Sequence, residues 1–202
     1  MGVANARIPS LLSPARAATR EKLIEAALEL ATEGGYDAVG IRPVAARAGV
    51  SVPTVYQHVS SKDQLLVEAL MTLGVRSTEG VRQRPPADAS PADRLVRVFQ
   101  RIMKAAAAKP LLYAALYRAY AASGSLVGAE GVVGFGPEQA GWIGETLRAG
   151  DHEGYTDEEL DAAARILSMQ FLGAMVGVAA GRPVPDALAV LDEATHRLLP
   201  PR

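Results

Sequence analysis

Residues 41–62 read IRPVAARAGVSVPTVYQHVSSK, and this stretch decides the fold. Its first eight residues form a helical pattern, and Gly49 supplies the tight turn that follows. Ser51 can then cap a second short helix, because a serine at this position accepts backbone N–H bonds. Two short helices joined in this way form a helix-turn-helix, whose second helix fits the major groove of DNA. The stretch therefore predicts a DNA-binding protein.

The second helix of this motif separates a core face from a reading face. Val55 and Val59 lie four residues apart and share the face that we expect to be buried. Pro53 and Gln57 fall about 200° away at ~100° per residue, so they point outward. Gln57 can pair bidentately with adenine, and Val52 and Pro53 offer apolar contact to thymine methyl groups. These three side chains are the predicted base-contacting residues.

Other side chains of the motif suit the phosphate backbone, which fixes register without reading sequence. They carry hydroxyl, imidazole or ammonium groups: Thr54, Tyr56, His58 and Lys62. Lys62 also lies at a helix N-terminus, where backbone N–H groups already favour an anion. Arg42, at the start of the first helix, can reach a phosphate or a guanine edge. We predict that all five side chains contact DNA.

The composition favours an all-α chain, because Ala and Leu dominate and strand-type runs are few. Hydrophobic residues make up 49% of the 202 residues, with 21 basic and 22 acidic side chains and no cysteine. The lack of cysteine excludes disulfides, thiolate chemistry and cysteine-ligated zinc. The longest apolar run, residues 166–180, is interrupted by Ser168 and Gln170, and residues 1–16 lack the apolar core of a signal peptide. We therefore expect a cytoplasmic protein with no membrane partner.

Local signals divide the chain into three parts. We predict a flexible arm over residues 1–16, a helix-turn-helix domain over 17–63 and a helical effector-binding and dimerisation domain over 64–202. Start and stop signals of the predicted helices are Gly34-Gly35, Ser51, Ser61–Gln64, Ser90-Pro91 and Thr156–Glu159. The predicted helices span 17–32, 41–48, 61–81, 91–108, 112–122, 137–149, 156–180 and 186–199, and a further short helix follows the cap at Ser51.

The motif resembles the tetracycline-repressor (TetR) family over residues 17–75. The resemblance rests on Gly35-Tyr36, on VAARAGVS at 44–51, on TVYQHV at 54–59 and on SKDQLL at 61–66. It implies nine or ten helices, a homodimer, and repression relieved by a small molecule. It also implies that positions 54, 56, 58 and 62 contact the DNA backbone, whereas positions 52, 53 and 57 vary with the operator.

Two positions depart from this family pattern, and a second resemblance is fainter. Gly40 stands where a Ser or Thr N-cap is usual, and Pro43 replaces a common polar residue, which affects the expected phosphate contacts of the first motif helix.

Residues 92–125 faintly resemble actinobacterial repressors of lipid and steroid catabolism within the same family. That resemblance implies a lipid-like or steroid-like effector.

Aromatic and apolar side chains beyond residue 98 suggest an effector pocket. The predicted lining consists of Phe99, Met103, Tyr113, Leu116, Tyr117, Tyr120, Trp142 and Met169. Pockets for such ligands are mostly apolar with a few orienting polar groups, so we expect a small hydrophobic effector that bears a hydroxyl, carbonyl or carboxylate. Plain core packing is the alternative for each of these residues. Arg118 can bind an acidic ligand or form a surface ion pair.

Small and apolar residues near the C-terminus suggest a homodimer interface. The predicted interface residues are Gly173, Gly177, Leu188, Leu191 and Leu198. Small side chains at three- or four-residue spacing permit close helix approach, and intramolecular packing is the alternative.

No pattern in the sequence indicates catalysis, a cofactor or a metal. Gly128, Gly131, Gly134 and Gly136 follow no strand and precede no Lys-Ser/Thr pair, which excludes a phosphate-binding loop. The three histidines have no metal-ligand spacing. We therefore predict a ligand-responsive transcription regulator, most simply a repressor, that binds a pseudo-palindromic double-stranded DNA operator. The alternatives are a DNA-binding regulator without an effector and a helical-bundle enzyme with an aromatic pocket.

Overall fold

The computed structural model describes residues 14–82, 89–123 and 141–202, except the side chains of Val75 and of 77–82. These residues form nine helices and no strand, which confirms the all-α prediction. The helices are α1 (Pro14–Ala38), α2 (Ile41–Ala48), α3 (Val52–Tyr56), α4 (Lys62–Arg82), α5 (Pro91–Ala107), α6 (Pro110–Ala122), α7 (Gly141–Arg148), α8 (Asp157–Ala179) and α9 (Val184–Leu198). Residues 1–13 of the predicted arm, residues 83–88 and the glycines between 124 and 140 lie outside the described residues.

The glycine pair in α1 breaks that helix where the sequence predicts it. Gly34 and Gly35 leave helical geometry, and Gly35 adopts φ +67°, a conformation that costs little only for glycine. The helix begins at Pro14, so the prediction that residues 14–16 belong to a flexible arm was wrong. Alanine-rich sequence and a proline in the first turn explain the earlier start.

The N-terminal helices share one apolar core. Leu23 and Ala27 of α1, Val44 of α2, Val55 of α3 and Leu66 of α4 are all fully buried. Because each helix contributes an apolar face to this core, the orientation of the short α3 is set by tertiary packing rather than by its own length. The reading helix is therefore presented on a rigid base.

Helix caps confirm two of the predicted starts and modify a third. The side chain of Ser90 caps α5, and Thr156 and Glu159 form a complete capping box at α8. At α4, the backbone N–H of Gln64 donates to Ser61 Oγ at 3.1 Å, as predicted. However, the side chain of Gln64 accepts from the backbone of Ser60, one residue before the expected position, at 2.7 Å.

Helix α6 connects the two parts of the chain, because it packs mainly against α1 and α4 and also contacts α8 and α5. The other C-terminal helices pack mainly on one another, with α7 and α9 each against α5 and α8. Arg94 of α5 is fully buried and donates to the carbonyls of Leu147 and Asp151 at 2.7 and 2.8 Å. This side chain therefore caps the C-terminal end of α7 and joins it to α5.

Helix α8 is long and apolar. Among the described residues it is the one helix long and apolar enough to cross a membrane. One such helix is weak evidence for a span, because core helices of soluble proteins have the same length and composition.

Candidate nucleic-acid interface

The turn between α2 and α3 has the geometry that a helix-turn-helix requires. Gly49 adopts a left-handed conformation at φ +68°, and its backbone N–H donates to carbonyls of α2. Ser51 then caps α3, accepting from the backbone N–H of Thr54 at 3.3 Å. The Ser51 and Thr54 hydroxyls also share a hydrogen bond of 2.8 Å. The predicted cap is therefore confirmed, and it fixes the Thr54 hydroxyl at the start of α3.

The two faces predicted for α3 are confirmed by burial. Val55 and Val59 are buried, whereas Pro53 and Gln57 are exposed. Val52 is partly buried against the core, so only part of its side chain remains available to a base. The structure thus places the outward side chains on one accessible surface, and their contacts with DNA remain a prediction.

Tyr56 and Lys62 flank this reading surface in different ways. Tyr56 is 58% exposed, which is unusual for an aromatic side chain that has no partner surface. Lys62 instead lies against Tyr36, with its Nζ 3.7 Å from the ring centroid and 3.4 Å from the backbone carbonyl oxygen. The Tyr36 hydroxyl donates to Asp63 at 2.6 Å. Sequence reasoning used Tyr36 only as a family marker and missed this contact.

His58 is half-buried, and burial determines its charge. Burial in the protein lowers the pKa of the imidazole, and the nearby positive charges of Arg16 and Arg20 lower it further. Its Nδ1 is buried and has no hydrogen-bond partner among the described residues. Both effects favour the neutral imidazole in the free protein, and a neutral imidazole can still donate one N–H to a phosphate.

Two arginines of α1 border the same surface and were not predicted as site residues. Arg16 donates to the backbone carbonyl of Gln57 at 3.1 Å. Arg20 pairs with Glu68 of α4 at 2.6 Å, and burial raises the pKa of that carboxyl despite the pairing. Arg16 was missed because the sequence reading assigned it to the arm. The helical start at Pro14 is the signal that places it here.

The remaining basic residues of the motif divide into exposed and ion-paired groups. Arg42 is exposed at the start of α2, as a DNA contact requires. Arg47 pairs with Glu29 at 3.1 Å and with Glu33 at 2.8 Å. Arg47 therefore links α2 to α1 through two ion pairs. The glutamates of α1 form ion pairs with Arg47 of α2 and with Arg76 of α4.

The predicted effector-site aromatics form two groups, and the first group also includes Phe171, which is outside the predicted lining. Phe99, Trp142 and Phe171 pack directly on one another, with Phe99 stacked on Phe171 at 5.1 Å between centroids. Three tyrosines, Tyr113, Tyr117 and Tyr120, follow one side of α6. Burial raises the pKa of Tyr117, and the neighbouring hydroxyls of the other two tyrosines raise it further. Tyr113 and Tyr117 are buried and Tyr120 is partly buried, so all three tyrosines pack against the hydrophobic core.

The other three predicted lining residues differ in burial. Met103 and Leu116 are fully buried and belong to the continuous core. Met169 was predicted to line the pocket, but it is 51% exposed on α8. The prediction for Met169 was wrong because the helix turns this side chain outward, a rotation that depends on how α8 packs and not on residue type.

The exposed apolar residues of α8 and α9 form a surface that differs in part from the predicted interface. We call it the α8–α9 face and define it by Ile166, Met169, Gly173, Val176, Val190 and Leu198, all exposed. Their spacing on α8 is three or four residues, so they lie on one side of the helix. Of the predicted interface residues, Gly173 and Leu198 belong to this face.

The other predicted interface positions are partly or wholly used within the chain. Leu191 is 1% exposed, which corrects its assignment to the interface. Leu188 packs partly against the core. A Cβ atom on Gly177 would lie 3.2 Å from Nε of Arg182, so this arginine lies close to the position, and the interface role of Gly177 stays a prediction.

Comparison with known proteins identifies relatives of the whole chain. The family described as "Bacterial regulatory proteins, tetR family" matches residues 23–69. The HTH-type transcriptional repressor KstR of Rhodococcus jostii (strain RHA1) is 33% identical over 94% of this chain and 86% of its own length. The HTH-type transcriptional activator FasR of Mycolicibacterium smegmatis is 44% identical over 32% of this chain and 29% of its own.

Solved structures show the same fold. A TetR transcriptional regulator from Rhodococcus sp. RHA1 has a TM-score of 0.70 and 28% identity, and the match covers 91% of this chain and 97% of that one. FadR of Thermus thermophilus, a TetR-family repressor solved in complex with lauroyl-CoA, has a TM-score of 0.61 and 20% identity, over 89% and 92% of the two chains. The second likeness concerns the fold alone.

Proposed function

Because this chain belongs to the TetR family of bacterial regulatory proteins and is a DNA-binding transcription regulator, not an enzyme, we propose that it is a homodimeric repressor released by a hydrophobic effector. The observation that carries this proposal is the exposed surface formed by Pro53, Tyr56 and Gln57 above the buried Val55 and Val59. An α-helix presented in this way enters the major groove of DNA. In a bacterium this function places the protein in the cytoplasm.

The α8–α9 face supports the homodimer. Apolar side chains such as Ile166, Met169 and Val190 are each about half exposed in one chain. A second copy related by a twofold axis would present the same face and bury both, since such interfaces are self-complementary. A twofold dimer with two reading helices then requires an inverted repeat in the operator.

The operator proposal is tested by selection from a random duplex pool followed by fluorescence anisotropy. We expect the selected sequences to contain an inverted repeat whose half-sites are about one helical turn apart, ~10 base pairs. Enrichment of a single asymmetric site, or of no sequence, contradicts the proposal. A reporter gene placed behind the selected operator separates a repressor from an activator by the direction of its response.

The three tyrosines of α6 support an effector with polar atoms on an apolar body. Tyr113 and Tyr117 are buried, and a tyrosine hydroxyl beside an apolar ligand can orient a polar atom of that ligand. A lipid-like or steroid-like acid has this chemistry. Trp142 is the only tryptophan of the chain, so its fluorescence reports binding directly.

Lauroyl-CoA, lauric acid and a steroid carboxylic acid are suitable probes for this test. We expect one of these classes to change Trp142 emission and to release operator DNA at the same concentration. The direct packing of Phe99, Trp142 and Phe171 favours the second candidate, a regulator without an effector. A change in neither signal with all three probes, while operator binding persists, supports that second candidate.

A further inference from the structure

We propose that Tyr36 positions Lys62 for its DNA phosphate and that Arg118 of α6 holds Tyr36, so that operator affinity depends on the position of α6. This inference rests on the proposed DNA contact of Lys62. It adds a positioning pair, Tyr36 and Arg118, that lies outside the reading surface. It also assigns Arg118, for which the sequence left a ligand contact or a surface ion pair open, to a link between the two parts of the chain.

The contacts around Tyr36 join three helices. Nζ of Lys62, in α4, lies 3.7 Å from the centroid of the Tyr36 ring. The guanidinium carbon of Arg118, in α6, lies 4.0 Å from the same centroid. Arg118 also lies 3.8 Å from the carboxylate of Asp37, which follows Tyr36 in the chain. One aromatic ring therefore contacts a cation from the DNA-binding part and a cation from the α6 helix.

The hydroxyl of Tyr36 ties the ring to the same helix start as Lys62. It donates to Asp63 Oδ1 at 2.6 Å, and the Tyr36 carbonyl accepts from Lys62 Nζ at 3.4 Å. Because both ends of this tyrosine contact the first turn of α4, the ammonium group of Lys62 has a fixed anchor. A lysine side chain otherwise loses rotamer freedom when it binds a phosphate, and an anchor reduces that loss.

The position of Tyr36 makes it sensitive to α6. It follows Gly35, whose positive φ separates it from the regular part of α1, so the main helix does not fix its backbone. A Cβ atom on Gly35 would lie 3.9 Å from the side chain of Leu111 in α6, so the two segments are in close contact there. α6 also carries Tyr113 and Tyr117 of the proposed effector site. A shift of α6 would therefore move Arg118 away from the ring and leave Lys62 less well anchored.

The first experiment observes Lys62 without DNA. The ring current of Tyr36 should shift the ε-methylene proton resonances of Lys62 upfield in the NMR spectrum of the free dimer. Tyr36→Leu should abolish that shift, and Tyr36→Phe, which keeps the ring and loses only the hydroxyl, should retain it. Arg118→Gln should reduce the shift and Arg118→Lys should restore it. An unchanged Lys62 resonance in Arg118→Gln, or an unshifted one in the wild type, overturns the proposal.

The second experiment measures operator affinity and its salt dependence. A cation–π contact at an exposed site corresponds to about a twofold to fivefold change in an equilibrium constant, so Arg118→Gln should weaken operator binding by about that factor. The same substitution in a Lys62→Ala background should have no further effect. The matched control is Arg101→Gln, which removes an exposed arginine of α5 and should leave affinity unchanged.

The two experiments distinguish failure of the link from failure of the proposed function. A shifted Lys62 resonance that responds to Arg118, in a protein that binds no operator, supports the link and refutes the DNA-binding role of Lys62. Equal weakening by Arg118→Gln with and without Lys62 refutes the link, because Arg118 would then act through net charge or folding. Equal weakening by Arg101→Gln leads to the same conclusion.

Discussion

Substitution of Met169 by alanine tests the proposed dimer most directly, because this side chain is 51% exposed on the α8–α9 face. Burial of a whole side chain of this size is worth ~1.5–3 kcal/mol, so burial of the exposed half is worth about 0.75–1.5 kcal/mol. A twofold dimer contains the residue twice. Met169→Ala should therefore weaken the free energy of dimerisation by ~1.5–3 kcal/mol, which raises the dimerisation Kd about tenfold to 150-fold.

Sedimentation equilibrium at several protein concentrations measures this Kd. The matched control is Leu111→Ala, since Leu111 is 52% exposed but lies on α6 beside Gly35 and not on the α8–α9 face. We expect the control to dimerise like the wild type. Equal shifts in the two variants, or a dimer unaffected by Met169→Ala, would refute the assignment of this face. A stronger perturbation, Val190→Glu, should give monomers that retain the helical circular-dichroism spectrum.

Three further predictions concern the DNA contacts, one buried arginine and one histidine. Lys62→Ala should weaken binding to all duplexes alike and lower the slope of log affinity against log salt concentration by ~1. Gln57→Ala should instead relax the sequence preference at one base pair by ~1–3 kcal/mol. Anisotropy titrations at several salt concentrations measure both effects. Arg94→Leu should lower the free energy of unfolding by ~2–4 kcal/mol, measured by urea denaturation, because buried carbonyls lose a charged donor. The backbone carbonyl of Asp192 and the carboxylate of Asp93 raise the pKa of His196, so its stabilising effect is present below about pH 6.5 and is lost as pH rises through the raised value. Thermal melts from pH 5 to 9 should show this loss in the wild type and not in His196→Gln, and parallel curves would contradict it.

Local sequence signals predicted the DNA-binding part of the chain well. The turn at Gly49, the cap at Ser51 and the inward face of Val55 and Val59 each depend on residues within about one helical turn. The break at Gly34-Gly35 is equally local, because it follows from the conformational freedom of glycine. The start of α1 was missed for the opposite reason, since residues 14–16 have helical propensity but no apolar periodicity.

Long-range packing decided what the sequence left open. The sequence alone determined an all-α chain with a reading helix, α3, that is followed by Lys62 at the start of α4, because helix periodicity, caps and turns are properties of neighbouring residues. Tertiary packing directs Met169 outward and Leu191 inward. It also brings Lys62 of α4 and Arg118 of α6 to the ring of Tyr36 in α1. Residue type does not specify these arrangements, because the rotation of a helix about its axis depends on all the helices that it packs against.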